Sequence, residues 1–375
     1  MSGTGHPTEK LLSFLALDRY ASRLCGLRVA DNALSWTRFC GSLSLVLVVL
    51  LFLSGAFMMF YYSPTPGAAY DSVDFSQFSL PFGDVVRGVH YYAWNLLLMV
   101  LGLHLAGTFL TAAYKAPRQL VWVSGVLILL VVPLCIITGD LLPWDQKGYW
   151  TTQVRNSIIS SVPLVGDFML RLLQGGPRTG TVALTRFYVL HCVFLPLLVV
   201  KLIAIHFHFL AQRGLSEPLG EGKADRGCVP LIPDMLNRWM LLFVAFALLL
   251  GLVSAYWPAP LESPADPTDS AYVPKPEWWV LSLNQLVGIF RGPLMFIGTA
   301  AIPGGLAALL VALPFLDRSP VRHPAQRKLA MWVAFLIVVA MAGLAIMGYR
   351  EHFATPHPYW LRARSFFSDP VCACG

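Results

Sequence analysis

Residues 184–210 read LTRFYVLHCVFLPLLVVKLIAIHFHFL, a run long and apolar enough to cross a bilayer, with His191 and His206 inside it. An ionisable side chain at membrane depth is costly, so such a residue is a functional candidate by default. Upstream, residues 84–113 (DVVRGVHYYAWNLLLMVLGLHLAGTFLTAA) form a second membrane-length run that carries His90 and His104. His90 and His104 are fourteen positions apart, and His191 and His206 fifteen. At ~1.5 Å rise per residue these intervals separate the imidazoles by roughly 21–22 Å along each helix. At ~100° per residue, the shorter interval returns to within about 40° of the starting face and the longer to within about 60°. Two helices thus present two imidazoles each, at matching depths. That is the geometry needed to clamp two haem irons, one above the other, with a bis-histidine pair at each.

The glycines repeat the interval. Gly41 and Gly55 lie fourteen positions apart in the first apolar run, and Gly125 and Gly139 are spaced identically in the third. Without a side chain, each lets a flat cofactor approach the backbone closely.

Composition sets the class. Hydrophobic residues make up 56% of the 375-residue chain against 13% charged, and the mean hydropathy is +0.63, which describes a polytopic membrane protein. A net charge of +7 invites a nucleic-acid reading, but the basic residues sit in short loops beside apolar runs, where they orient a membrane protein. Nucleic acid is therefore excluded as a partner. Seven cysteines (positions 25, 40, 135, 192, 228, 372 and 374) contain no CxxC or CxxCH, so the usual zinc, iron–sulfur and c-type haem spacings are missing. The polar, basic N-terminal stretch has no signal-peptide core.

Seven apolar runs are expected as membrane helices, at about 39–61, 84–113, 119–139, 184–211, 236–257, 290–315 and 328–348. The expected fold is an all-α membrane protein, with an N-terminal four-helix bundle holding two haems and a C-terminal three-helix part. Its divisions are a cytoplasmic segment 1–37, the di-haem domain 38–213, a cytoplasmic linker 214–235, the three-helix domain 236–349 and an external tail 350–375. Lys115 and Arg118, Arg213 to Arg238, and Arg318 to Lys328 mark three loops as cytoplasmic, in a cell inner membrane. The acidic loops with Asp71, Asp74 and Asp84, and with Glu262, Asp266, Asp269 and Glu277, then belong outside. That orientation puts His90 and His191 at the outer level and His104 and His206 at the inner one. Within 140–183, Ile158–Gly166 and Phe168–Leu173 read as short helices lying at the interface.

At these residues the chain resembles the cytochrome b family of bc-type quinol oxidoreductases, over roughly residues 35–350. The paired histidines, GDLLPWDQKGYW (139–150), SSVPLVG (160–166), LTRFYVLH (184–191) and PEWW (276–279, where the family usually has PEWY) carry the resemblance. The longer His191–His206 interval and seven helices are similar to cytochrome b6 fused to subunit IV, and YKAPR (114–118) is closer to bacterial forms. The resemblance implies two b haems, a quinol-oxidising site outside and a second quinone site inside. It also implies a Rieske iron–sulfur protein, a c-type cytochrome or similar acceptor, and a dimeric complex. Arg87 and Arg118 are implied near haem propionates. A quinol would bind between the segment Gly139–Trp150, with Gly139 and Asp140 at its start, and the segment Pro276, Glu277, Trp278 and Trp279, with Glu277 as the general base. Asp140 departs from the residue usual after Gly139. Cys40 lies one residue, about 100° of helix, away from the cysteine that attaches an extra haem in the b6f type, so no third haem is expected there. His208 points about 200° from His206 and has no role to carry over.

The function implied is quinol oxidation outside, with electrons passing through two b haems across the membrane, coupled to proton translocation. The alternatives are a di-haem anchor of a hydrogenase or dehydrogenase, and a transporter whose histidines relay protons.

Overall fold

In the computed structural model the described residues are 28–30, 36–216, 228–230, 236–269, 271–290 and 292–354. Most of the expected N-terminal segment, most of the linker 214–235 and the tail beyond 354 lie outside them. The described residues are mostly helical, because an apolar run in hydrocarbon must pair every backbone N–H and C=O internally.

Among the described residues, seven helices are long and apolar enough to cross a membrane. They are α1 (Trp36–Met59), α3 (Gly83–Leu110), α4 (Gln119–Gly139), α7 (Thr181–Arg213), α8 (Leu236–Tyr256), α10 (Ile297–Leu316) and α11 (Lys328–Tyr349). Four shorter helices sit between them: α2 (Ala69–Asp74), α5 (Gln146–Ser160), α6 (Gly166–Gln174) and α9 (Leu281–Ile289). A three-residue antiparallel pair, β1 (Arg28–Ala30) with β2 (Cys228–Pro230), accompanies them.

The membrane helices keep large apolar side chains on their outer faces, Leu53, Leu103, Leu197 and Val338 among them, as lipid contact requires. The buried core runs between α1, α3, α4, α7 and α8 through Leu47, Ala93, Leu97, Val132, Leu202 and Phe243. Here α8 packs along α3, and Gly88 opposes Ser254 so closely that a Cβ at Gly88 would meet Ser254 Cβ at 2.6 Å. The last three helices, α9 to α11, pack mainly among themselves, with α10 also against α4.

The expected helix positions shift by a few residues. The largest difference precedes α10: the expected run from 290 is not helical throughout, and Leu281–Ile289 forms a helix of its own directly after Trp278–Val280. Of the two interface pieces expected, Phe168–Leu173 lies inside the short amphipathic helix α6, whereas Ile158–Gly166 is not one helix: its first three residues end α5 and the rest is the turn that leads into α6. Asp145 starts α5 by accepting a hydrogen bond from Gly148 N at 2.8 Å, an N-cap in the loop preceding the expected piece.

Candidate haem and quinol sites

The four histidines meet in two levels. His90 of α3 faces His191 of α7 with ring centroids 6.2 Å apart and planes at 66°. A metal bound midway at ~2.0–2.1 Å from each ring nitrogen would hold two such rings roughly 6 Å apart. At the other level His104 of α3 and His206 of α7 are near enough to interact electrostatically. His191 sits in a wide π turn, Leu190–Phe194, that interrupts α7, a feature found often at functional positions.

Each histidine packs on one of the equally spaced glycines. A Cβ at Gly139 would lie 2.6 Å from His191 Cε1, at Gly41 3.0 Å from His104 Cε1, at Gly55 3.2 Å from His90 Cε1, and at Gly125 3.4 Å from His206 Cε1. So α1 receives the rings of α3 and α4 receives those of α7. At each glycine the missing side chain makes room for an imidazole, and Gly55 and Gly139 also border the cavity lined by His90 and His191. The repeat in the glycines matches the repeat in the histidines because each pair of helices interlocks at both levels.

Hydrogen bonds then choose the ring tautomer. Ser54 Oγ donates its one proton to Leu50 O at 2.6 Å and lies 3.0 Å from His90 Nδ1, so it accepts from Nδ1–H. Ser124 Oγ does the same for His206, donating to Leu120 O at 2.8 Å and lying 3.0 Å from Nδ1. His191 Nδ1 donates to Cys135 O at 2.9 Å. With the proton on Nδ1, the Nε2 lone pairs of His90, His191 and His206 are left for a metal, and each partner orients its ring.

Between His90 and His191 lies a cavity of about 460 Å³, walled by apolar residues such as Val48, Leu51 and Phe52 and by the backbones of Gly55 and Gly139. It continues past Arg87 and Asp140 to Asp145, Lys147 and Glu262. Opposed Nε2 lone pairs, side-chain-free backbone and apolar walls fit a b-type haem. Arg87 is clamped by Gln77 Oε1 and by the carbonyls of Ala259 (2.9 Å) and Pro260 (2.8 Å). Arg118 donates to Ala113 O at 3.2 Å, within its own loop. His208 bonds Gln212 one turn on, away from His206.

The two segments expected to flank a quinol touch each other. Glu277 forms an ion pair with Lys147, and Asp140 forms one with Arg155. Burial alone would lower the Lys147 pKa, but the Glu277 carboxylate beside it outweighs burial and holds the ammonium above its ordinary range. Burial pushes the Asp145 carboxyl up, opposed by hydrogen bonds from Gly148 N and Glu262 N. Trp278 is pinned by its Nε1 to Asn95 Oδ1 at 2.7 Å and stays 42% exposed. Trp279 packs into the core of α3 and α8, and its buried Nε1 has no hydrogen-bond partner among the described residues. Pro276 sets the extended approach to Glu277, whose carbonyl closes the following turn on Val280 N at 3.0 Å.

Two family models match consecutive stretches of the chain: Cytochrome b(N-terminal)/b6/petB over residues 95–264 and Cytochrome b(C-terminal)/b6/petD over residues 264–365. A cytochrome bc complex cytochrome b subunit of Chlorobaculum thiosulfatiphilum is 35% identical over 334 residues, covering 86% of this chain and 75% of the relative. The chain belongs to the cytochrome b family. Cytochrome b6 of Synechococcus sp. (strain CC9605) is 38% identical over 179 residues, covering 48% of this chain and 82% of the relative. A solved hyperthermophilic respiratory Complex III contains a chain that superposes with a TM-score of 0.77 at 27% identity, covering 98% of this chain and 96% of that one. This cytochrome b is a multi-pass, haem-binding membrane subunit of a bc-type oxidoreductase complex.

Some features of the site escaped the sequence reading. The hydroxyl residues Ser54, Ser124 and Thr138 each stand directly before a histidine-facing glycine, so a Ser/Thr–Gly pair is the signal that was available. The Lys147–Glu277 pair spans 130 residues and leaves no local pattern.

Proposed function

We propose that this cytochrome b oxidises quinol at the end of the bundle that carries His90 and His191, and returns electrons to quinone at the end that carries His104 and His206. The observation that carries this reading is the opposed His90–His191 pair, 6.2 Å between centroids, opening into a cavity that reaches Asp140 and Lys147. When bound, two b haems supply one-electron transfer across the low-dielectric layer, His90 with His191 holding one and His104 with His206 the other. A haem held by a histidine from each of two helices would be suited to electron transfer and not to binding oxygen.

The remaining work belongs to the protein. Gly139 and Asp140 form one wall of the quinol pocket, and Pro276, Glu277, Trp278 and Trp279 form the other. Glu277 accepts a proton from a quinol hydroxyl as general base, and Trp278 and Trp279 keep bulk water from the reacting oxygen. Arg87 and Arg118 supply guanidinium groups for propionate carboxylates at the two levels. The loop charges orient the His90 level outward and the N-terminus toward the cytoplasm, so protons leave outside and are taken up inside. A Rieske iron–sulfur protein takes one electron outside and passes it to a c-type cytochrome, in a dimeric complex of the inner membrane. The di-haem domain 38–213 and the three-helix domain 236–349 meet at this pocket.

The test is Glu277→Gln in the purified complex. Both haems should remain, and quinol oxidation should slow by about 10–10³-fold, the scale of losing a general base. Unchanged turnover across pH 5–9 would move the proton acceptor elsewhere, with Asp140 next.

A further inference from the structure

Two residues that line the cavity are held in ion pairs, Lys147 with Glu277 and Asp140 with Arg155, and three of the four residues come from one short stretch, 140–155. Lys147 lies in the first turn of α5, which Asp145 anchors by its cap and by accepting a hydrogen bond from Glu262 N at 3.2 Å. Its side chain is 26% exposed and that of Glu277 14%, so the pair is largely withdrawn from water. Lys147 also lines the cavity that contains His90 and His191. The groups that face the pair are therefore Asp140 from the loop after α4, already held by Arg155, and Tyr91 from α3.

A largely buried carboxylate beside a permanent cation is held in one place by charge, and that hold depends on the carboxylate staying charged. We infer that Lys147 is a positioning residue for the proton acceptor: it latches Glu277 at the cavity mouth as a carboxylate and releases it once Glu277 has taken a proton. This rests on the reading of Glu277 as general base. In the step itself the quinol O–H bond breaks and a Glu277 O–H bond forms, while the electron leaves for the external iron–sulfur protein. Neutral Glu277 then keeps only a hydrogen bond to Lys147. Asp140 is bonded to Arg155, which leaves it little free to compete for Lys147. The acid swings away from the cavity, and deprotonation outside restores the pair. The latch thus gives the proton a direction without a second titrating group.

The test compares Lys147→Met, Lys147→Gln and Lys147→Arg in the purified complex, with quinol turnover measured from pH 5.5 to 9. Removing the cation should cost about tenfold or more in turnover at pH 6 and little at pH 9, moving the acid limb of the profile to higher pH. Lys147→Arg should restore the wild-type profile. Lys147→Gln removes the charge but keeps a polar head, so agreement between it and Lys147→Met separates the charge from packing. In the Glu277→Gln background, Lys147→Met should add less than about twofold, since the partner of the latch is already gone. Wild-type profiles for both neutral variants, with Glu277→Gln slow, would overturn the latch and leave the general base intact. So would equal slowing at every pH or a failure of Lys147→Arg to rescue. Wild-type turnover in Glu277→Gln would instead sink the function reading on which the latch depends.

Discussion

Adding one methyl group to each histidine-facing glycine should produce a graded series. Ordinary van der Waals contact begins at 3.4 Å, whereas the new Cβ would sit 2.6 Å from the facing ring at Gly139, 3.0 Å at Gly41, 3.2 Å at Gly55 and 3.4 Å at Gly125. The overlap is thus deepest at Gly139, shrinks through Gly41 and Gly55, and is gone at Gly125. The His191 ring cannot simply step aside, because Nδ1 is bonded to Cys135 O at 2.9 Å and the ring lies in the π turn of α7. Overpacking of that kind costs about 1–3 kcal/mol. Charged against haem affinity, this is roughly a 5- to 150-fold loss at the His90–His191 level. At Gly125 the clash term vanishes, and a mid-helix Gly→Ala change contributes about 0.5–1 kcal/mol of helix stability. Haem per protein from reduced-minus-oxidised spectra, with redox titration of each component, reads the series. Gly139→Ala should lose or shift one component and spare the other, and Gly125→Ala should match wild type. Equal damage from both, or wild-type potentials in Gly139→Ala, would refute the packing of imidazoles on these glycines.

His191→Ala should remove only the haem shared with His90, and His206→Ala only the one shared with His104. Spectra showing loss of the His104-level component on replacing His90 would break the pairing. Ser54→Ala should shift the midpoint potential of the His90-level component without removing it, because the ring loses the acceptor that holds its Nδ1 proton, while Ser54→Thr restores it. At the opposite end, Asp317 accepts from Lys115 Nζ at 2.8 Å and from Tyr114 Oη at 2.6 Å, with the buried Arg327 3.6 Å away. Asp317→Asn should therefore cost about 3–5 kcal/mol, read as a fall in Tm, by leaving buried cations uncompensated. Burial opposes ionisation of Asp317, but the bonds from Lys115 and Tyr114 prevail and hold the carboxyl below its usual range. Its contribution is thus full above the ordinary aspartate pKa of about 4 and lost only as pH falls through the lower folded value.

Helical period made the haem-side geometry legible: the matched intervals of four histidines and four glycines define two levels from spacing alone. The same spacing did not show that each glycine also has an imidazole as its neighbour. Periodicity gives the depth and face of a residue but not what fills the space opposite. The quinol side was legible only as two segments. Lys147 and Glu277, or Tyr114 and Asp317, are joined across 130 and 203 residues by packing of loops, and no local spacing records such a contact. The π turn at His191 was likewise hidden, since its residues read as uninterrupted apolar helix.

Redox titration of the purified complex with haem counting addresses the two-level bis-histidine ligation most directly. Two low-spin b-type haems per chain with separate midpoint potentials are expected, and no haem covalently attached at Cys40. A single haem, or a high-spin component with an open axial position in the wild-type chain, would contradict it.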